Sequence, residues 1–251
     1  MRVWRRAPLF IRTLLGLAVV VTVWLAVNWA YQVTRKPSEL LFPISESFYK
    51  QPAETWMAYG RLFERHSTDL ITPDFLAALA QVEGSGNPVV RTYWRWVFTA
   101  QLFEIFRPAS SAVGMYQITN GTFAEARRYC IHDHHVVTVG PWYDFRSCWF
   151  NGLYTRTVPS HAVELTSAYL DRGVSALVQR YGLQESSLPQ RQALAATMHL
   201  CGAGVAAEYA RRGFAFARGR RCGSHDPRDY VARVASMQRV FIELAAAARR
   251  G

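Results

Sequence analysis

Residues 72–88 read Thr72-Pro73-Asp74-Phe75-Leu76-Ala77-Ala78-Leu79-Ala80-Gln81-Val82-Glu83-Gly84-Ser85-Gly86-Asn87-Pro88, and the fold turns on how this stretch is read. Thr72 offers an N-cap hydroxyl, Pro73 suits the first helical position, and Asp74 places an acid in the first turn. Phe75, Leu76, Leu79, Ala80 and Val82 supply an apolar face, and Gly84 ends the helix. On that geometry Glu83 follows Leu76, Leu79 and Ala80 at i−7, i−4 and i−3, so its carboxyl continues the apolar stripe. Desolvation there disfavours the charged form, which suits a general acid. The competing reading is a helix-terminal glutamate turned into water.

The same periodicity recurs on either side. Trp56, Tyr59 and Phe63 mark a short preceding helix, and further helical patterns surround Tyr169, Leu177 and Leu194. A last helix opens at Asp226-Pro227 and lines one face with Tyr230, Val234, Met237 and Phe241. Alternating strand patterns are scarce, so the expected fold is mainly α, with irregular and partly β structure between about 130 and 160. No internal repeat is present.

Among 251 residues, half are hydrophobic and 19% are charged, which excludes a disordered chain. The run Thr13–Tyr31 contains no charge and is long enough to cross a bilayer. Arg2, Arg5, Arg6 and Arg12 precede it and Arg35 and Lys36 follow, so the heavier positive cluster predicts a single-pass inner-membrane anchor with the remainder in the periplasm. A cleaved signal peptide is the second reading, but 26–30 offers a poor small-x-small site. Six of the eleven net positive charges belong to this segment, leaving five on the rest. The expected organisation is a cytoplasmic tip and anchor over 1–36, a proline-containing stalk over 37–52 and a globular domain over 53–251. Nucleic acid is set aside as a partner, because the basic excess is dispersed and the anchor exports the domain.

An exported chain of this length does not need disulfides to fold, but its compartment permits them. Cys130, Cys148, Cys201 and Cys222 lack zinc-type spacing and read as two disulfides; sequential pairing is the simplest of three. His132-Asp133-His134-His135 reads as a polar loop, since contiguous residues converge poorly on one ion. No metal or cofactor is called for.

Four segments then occur in order: Glu83-Gly84-Ser85-Gly86-Asn87-Pro88, Gly114-Met115-Tyr116-Gln117-Ile118, Ala195 to Gly204 (AATMHLCGAG), and Asp226-Pro227-Arg228-Asp229-Tyr230-Val231. Together they resemble the lytic transglycosylases of the soluble-lytic-transglycosylase (SLT) domain, relatives of goose-type lysozyme. That family carries Glu-Ser-x-x-Asn-Pro, Gly-Leu-Met-Gln-Ile, Ala-x-Tyr-Asn-x-Gly and Glu-Thr-x-x-Tyr-Val. The resemblance covers roughly 70–240. It departs at Gly84 for the family serine, Tyr116 for methionine, and His199-Leu200 for Tyr-Asn, and an insertion occupies 89–110.

The resemblance implies a lysozyme-like helical domain that cleaves the β-1,4 bond between N-acetylmuramic acid and N-acetylglucosamine in peptidoglycan, forming a 1,6-anhydro product. Glu83 is the implied acid and base. Gln117, Tyr116, His199 and Tyr230 are implied sugar contacts, and Ser85 could replace the missing serine. Glu104, Glu125 and Glu164 are the alternatives for a second acid. Tyr93, Trp94, Trp96 and Phe98 could form a sugar platform, or a hairpin or helix that completes a core or touches the membrane. Two further functions stand beside the first: a hydrolytic muramidase using Glu83 with water, and a non-catalytic wall-binding or assembly protein. An envelope-spanning machine is a further conceivable partner, which no residue identifies.

Overall fold

The structure is a computed structural model that describes residues 8–141, 143, 144 and 146–250. Arg2, Arg5 and Arg6, on which the orientation reading rests, lie outside the described residues. Among the described residues the chain is mainly helical, with two small antiparallel hairpins. It divides into two compact units, and most of the expected insertion over 89–110 falls with the N-terminal helix, in the segment Thr92–Ser111.

The first unit comprises residues 8–43 and Thr92–Ser111. Its helix α1, Leu9–Arg35, holds 27 residues and is long and apolar enough to cross a membrane. Strands β1, Trp94–Trp96, and β2, Phe106–Pro108, pair in the register Trp94↔Pro108, Arg95↔Arg107 and Trp96↔Phe106. The expected stalk has regular structure: Pro37–Phe48 winds as 3-10 turns, and Ser38, Glu39 and Ser45 within it are buried.

The second unit holds residues 44–91 and 112–250. Helix α2, Pro52–Arg65, opens with a reciprocal capping box between Gln51 and Glu54. Helix α3, Pro73–Gly84, follows, with every side chain from Phe75 to Ala80 buried. A helix apolar all round belongs in the middle of a core. Accordingly α3 packs against α2 and against α7, Pro227–Ala248, which contributes Tyr230, Val234 and Phe241. The remaining helices are α4, Asn120–Ala126, α5, Pro159–Arg180, and α6, Leu188–Arg211.

Thr72 is the N-cap of α3, but its hydroxyl does not cap the helix backbone. It donates to Asp74 Oδ2 at 3.0 Å and accepts from Gln192 Nε2 at 3.0 Å, tying α3 to α6. Asp226 caps α7 as read, accepting from the Arg228 amide at 2.8 Å. The irregular region contains a hairpin of β3, Tyr129–His132, and β4, His135–Thr138. Its connecting Asp133 and His134 both have positive φ, as a two-residue primed turn requires. The histidine run is therefore a hairpin turn, and His134 Nδ1 lies 2.9 Å from the Ser67 carbonyl. Cysteines pair sequentially, Cys130 with Cys148 and Cys201 with Cys222.

Candidate active site

Glu83 occupies the last turn of α3, with its side chain 16% exposed. Two side chains from other helices meet its Oε1. The Tyr230 hydroxyl, on the first turn of α7, donates to it, and His199 Nε2, in the middle of α6, lies 3.6 Å away. Three helices distant in sequence thus converge on one carboxylate. Tyr230 is 2% exposed, and burial, reinforced by the Glu83 charge, pushes its phenol pKa well above the ordinary value. It therefore stays a neutral donor across physiological pH.

The turn after Glu83 explains the small and amide residues around it. Ser85 adopts a left-handed conformation and closes α3 through its amide, which donates to the Gln81 carbonyl at 3.0 Å. A Cβ at Gly84 would come within 2.8 Å of Val90 Cγ1 and 3.1 Å of the Met115 backbone, so a serine there would require both neighbours to shift. Asn87 is fully buried; its Nδ2 donates to the Ser45 carbonyl at 2.7 Å and its Oδ1 accepts from the Val89 amide at 2.9 Å. It fixes the backbone that leaves the helix. The end of α3 is further held by Gln81, which accepts from Thr55 Oγ1 at 2.7 Å and donates to the Lys50 carbonyl at 2.9 Å.

The run Gly114–Ile118 packs beside that turn. Gly114 has φ +79°, and a Cβ on it would come within 2.2 Å of the Arg156 carbonyl oxygen, so only glycine is accommodated. Gln117 donates from Nε2 to the carbonyls of Val90, at 3.2 Å, and Gly114, at 3.0 Å. Tyr116 corrects one expectation. Its ring is fully buried and its hydroxyl donates to the Leu76 carbonyl at 3.1 Å, so it packs beneath α3 and presents no surface to a sugar. Tyr230 is likewise aimed at Glu83 and not outward.

The three alternative acids are engaged elsewhere. Glu104 accepts from Arg35 and from Arg107 in the first unit. Glu125 accepts from the Tyr129 hydroxyl at 2.8 Å. Glu164 is buried in α5, accepting from the Ile131 amide at 2.9 Å and the Tyr154 hydroxyl at 2.7 Å. A cavity of about 710 Å³ is lined by Glu164 and His66 among others, and Glu83 is not among its lining residues. Among the described residues no group of three or more His, Cys, Asp and Glu side chains is placed to hold a metal ion.

Sequence reasoning singled out Glu83, but not that Tyr230 would be bonded to it directly. The one available signal was the tyrosine's position in the first turn of a helix whose other buried residues form a core stripe. It also missed Thr55 and Gln81, whose pairing across 26 residues has no local signature. No family model matches the chain, and no curated protein sequence matches it.

Proposed function

We propose that the protein is a membrane-anchored lytic transglycosylase of the lysozyme-like superfamily that cleaves peptidoglycan between N-acetylmuramic acid and N-acetylglucosamine. The observation that carries this reading is the convergence of the Tyr230 hydroxyl and the His199 ring on the part-buried carboxyl of Glu83, at the end of a core helix. Four ordered motifs resembling the SLT domain support it.

In the proposed reaction Glu83 enters protonated and gives its proton to the glycosidic oxygen as the bond from that oxygen to the anomeric carbon breaks. The resulting carboxylate takes the proton of the muramoyl 6-hydroxyl, whose oxygen bonds to the anomeric carbon and closes the anhydro ring. The proton returns to Glu83 and no water is consumed. The nucleophile is internal to the substrate, so a second catalytic carboxylate is dispensable, unlike in paired-acid glycosidases. Tyr230 donates to the carboxylate formed midway, and His199 stands 3.6 Å from the same oxygen. Ser85 and Gln117, beside the turn, are the residues we assign to the sugar and its acetamido groups.

A muramidase would need a second group to direct water, and the hydrogen bonds already made by Glu104, Glu125 and Glu164 favour the transglycosylase. The domain carrying Glu83 would lie in the periplasm, with α1 in the inner membrane. Mass spectrometry of muropeptides released by the detergent-solubilised protein tests the chemistry. The transglycosylase leaves ends lighter by one water than those of a muramidase; hydrated ends alone would transfer the assignment to hydrolysis.

A further inference from the structure

The largely apolar helix α1 carries two amide side chains that a simple anchor does not require, Asn28 and Gln32. Both are buried, 1% and 5% exposed, whereas the apolar residues around the rest of the helix are exposed. Their amides point at the β1–β2 hairpin: Asn28 Nδ2 donates to the Phe106 carbonyl at 2.7 Å, and Gln32 Nε2 to the Phe103 carbonyl at 2.6 Å. Trp24, one turn before Asn28, stacks on Trp96 with centroids 6.1 Å apart, and Tyr31 packs on Phe103 at 5.4 Å. Arg35 pairs with the buried Glu104, and Trp94 Nε1 donates to Glu39 at 2.9 Å. Residues 24, 28, 31, 32 and 35 form one stripe along α1, and the hairpin is docked along it.

That docking sets depth. Trp24 lies seven residues before Tyr31, the last residue of the run read as long enough to cross a bilayer, or roughly 10 Å inside it at 1.5 Å per residue. Whatever surrounds α1 at that level also surrounds Trp96. Large apolar side chains of the hairpin are exposed, Tyr93 at 74%, Trp96 at 67%, Leu102 at 63% and Phe98 completely, beside the polar Arg95, Thr99 and Gln101. The backbone of the hairpin's two strands is provided for by their pairing, by the Val97 amide bond to the Ile105 carbonyl at 2.7 Å, and by the two α1 amides. Satisfied backbone is the condition for lying at membrane depth. Arg95 is exposed on β1 and can reach toward lipid phosphates at the boundary where aromatic and basic side chains both settle, while Arg107, opposite it in the register, pairs with Glu104.

We propose that the β1–β2 hairpin is a second membrane-embedded element, set into the leaflet at the C-terminal end of α1, with Trp96, Phe98 and Leu102 against lipid. The occupant of this apolar face is the bilayer, and not a glycan strand. The inference rests on α1 crossing the membrane and is independent of the chemistry assigned to Glu83.

The four cysteines are all in disulfides, so a single introduced cysteine can carry a nitroxide. Full-length Phe98→Cys, Val20→Cys and Met57→Cys proteins, spin-labelled in nanodiscs containing anionic lipid, report collisions with lipid-soluble oxygen and with an aqueous nickel chelate. Phe98 and Met57 are exposed, so neither exchange removes packing. The expected result is loss of nickel collisions with gain of oxygen collisions at position 98, as at position 20, while position 57 behaves as aqueous. An aqueous label at 98 with a buried one at 20 overturns the hairpin proposal and leaves the anchor standing. Aqueous labels at both positions overturn the anchor as well. Protection of position 98 only after glycan strands are added gives the hairpin to sugar and ends the proposal.

Discussion

Tyr230 joins a helix that mostly builds core to the one carboxylate with an assigned chemical task. Its ring is buried with Val234 and Phe241, so Tyr230→Phe keeps the packing and removes only the hydroxyl that reaches Glu83. A hydrogen bond to a charged group contributes about 1.5–3 kcal/mol, so peptidoglycan cleavage should fall by roughly 10- to 100-fold. The melting temperature should stay within a few degrees of wild type. Loss of stability with unchanged turnover per folded molecule would assign the hydroxyl to structure alone. At Gly84 the close approach of Val90 and the Met115 backbone gives a packing reason for glycine, since any side chain there would displace them.

At the scale of elements, α1 and the β1–β2 hairpin form one piece because Asn28 and Gln32 reach carbonyls 78 and 71 residues away. Replacing both with leucine makes α1 more apolar, yet it strips two donors from the hairpin backbone. Faster amide exchange across Trp94–Pro108 with α1 still in the membrane is the expected outcome in nanodiscs, and unchanged exchange would show that ring stacking alone holds the hairpin. Much of the helical layout was legible from the chain: caps, proline positions and apolar stripes are local signals, and they located α2, α3 and α7. The placement of the hairpin was not, because an aromatic-rich run fits a sugar platform, a core or a membrane surface equally well. Its one sequence trace was a pair of amides one turn apart in an apolar helix. Likewise, Glu83 stood out by its position on a stripe, whereas the tyrosine bonded to it and the burial of Tyr116 depend on how distant helices pack.

For the molecule as a whole, acid stability follows from the histidines near Glu164. Burial lowers the His66 pKa, outweighing the opposing pull of Glu164, and burial lowers that of His161 in the same direction. A histidine with a folded pKa below its unfolded value of about 6.5 binds its proton more readily when the chain unfolds. The associated stability is present above about pH 6.5 and is lost as pH falls through the folded value. Asp171, whose pKa burial raises, has the opposite sign and gains stability when protonated at lower pH. The melting temperature should therefore fall between pH 7.5 and 5.5, and His66→Gln should flatten that slope. Parallel slopes for variant and wild type would remove His66 from the account.

The transglycosylase reading also draws on the whole molecule, since its carboxylate, hydroxyl and imidazole come from three helices of one core. Its most direct test is digestion of purified peptidoglycan, under oxidising conditions that keep both disulfides, by full-length protein and by the Glu83→Gln variant, with products weighed by mass spectrometry. General acid catalysis contributes about 100- to 10,000-fold. Anhydromuramoyl products from the wild type, and a loss of that order in an equally stable Glu83→Gln protein, are the predicted result; equal activity of the two proteins, or no soluble product from the wild type, would contradict it.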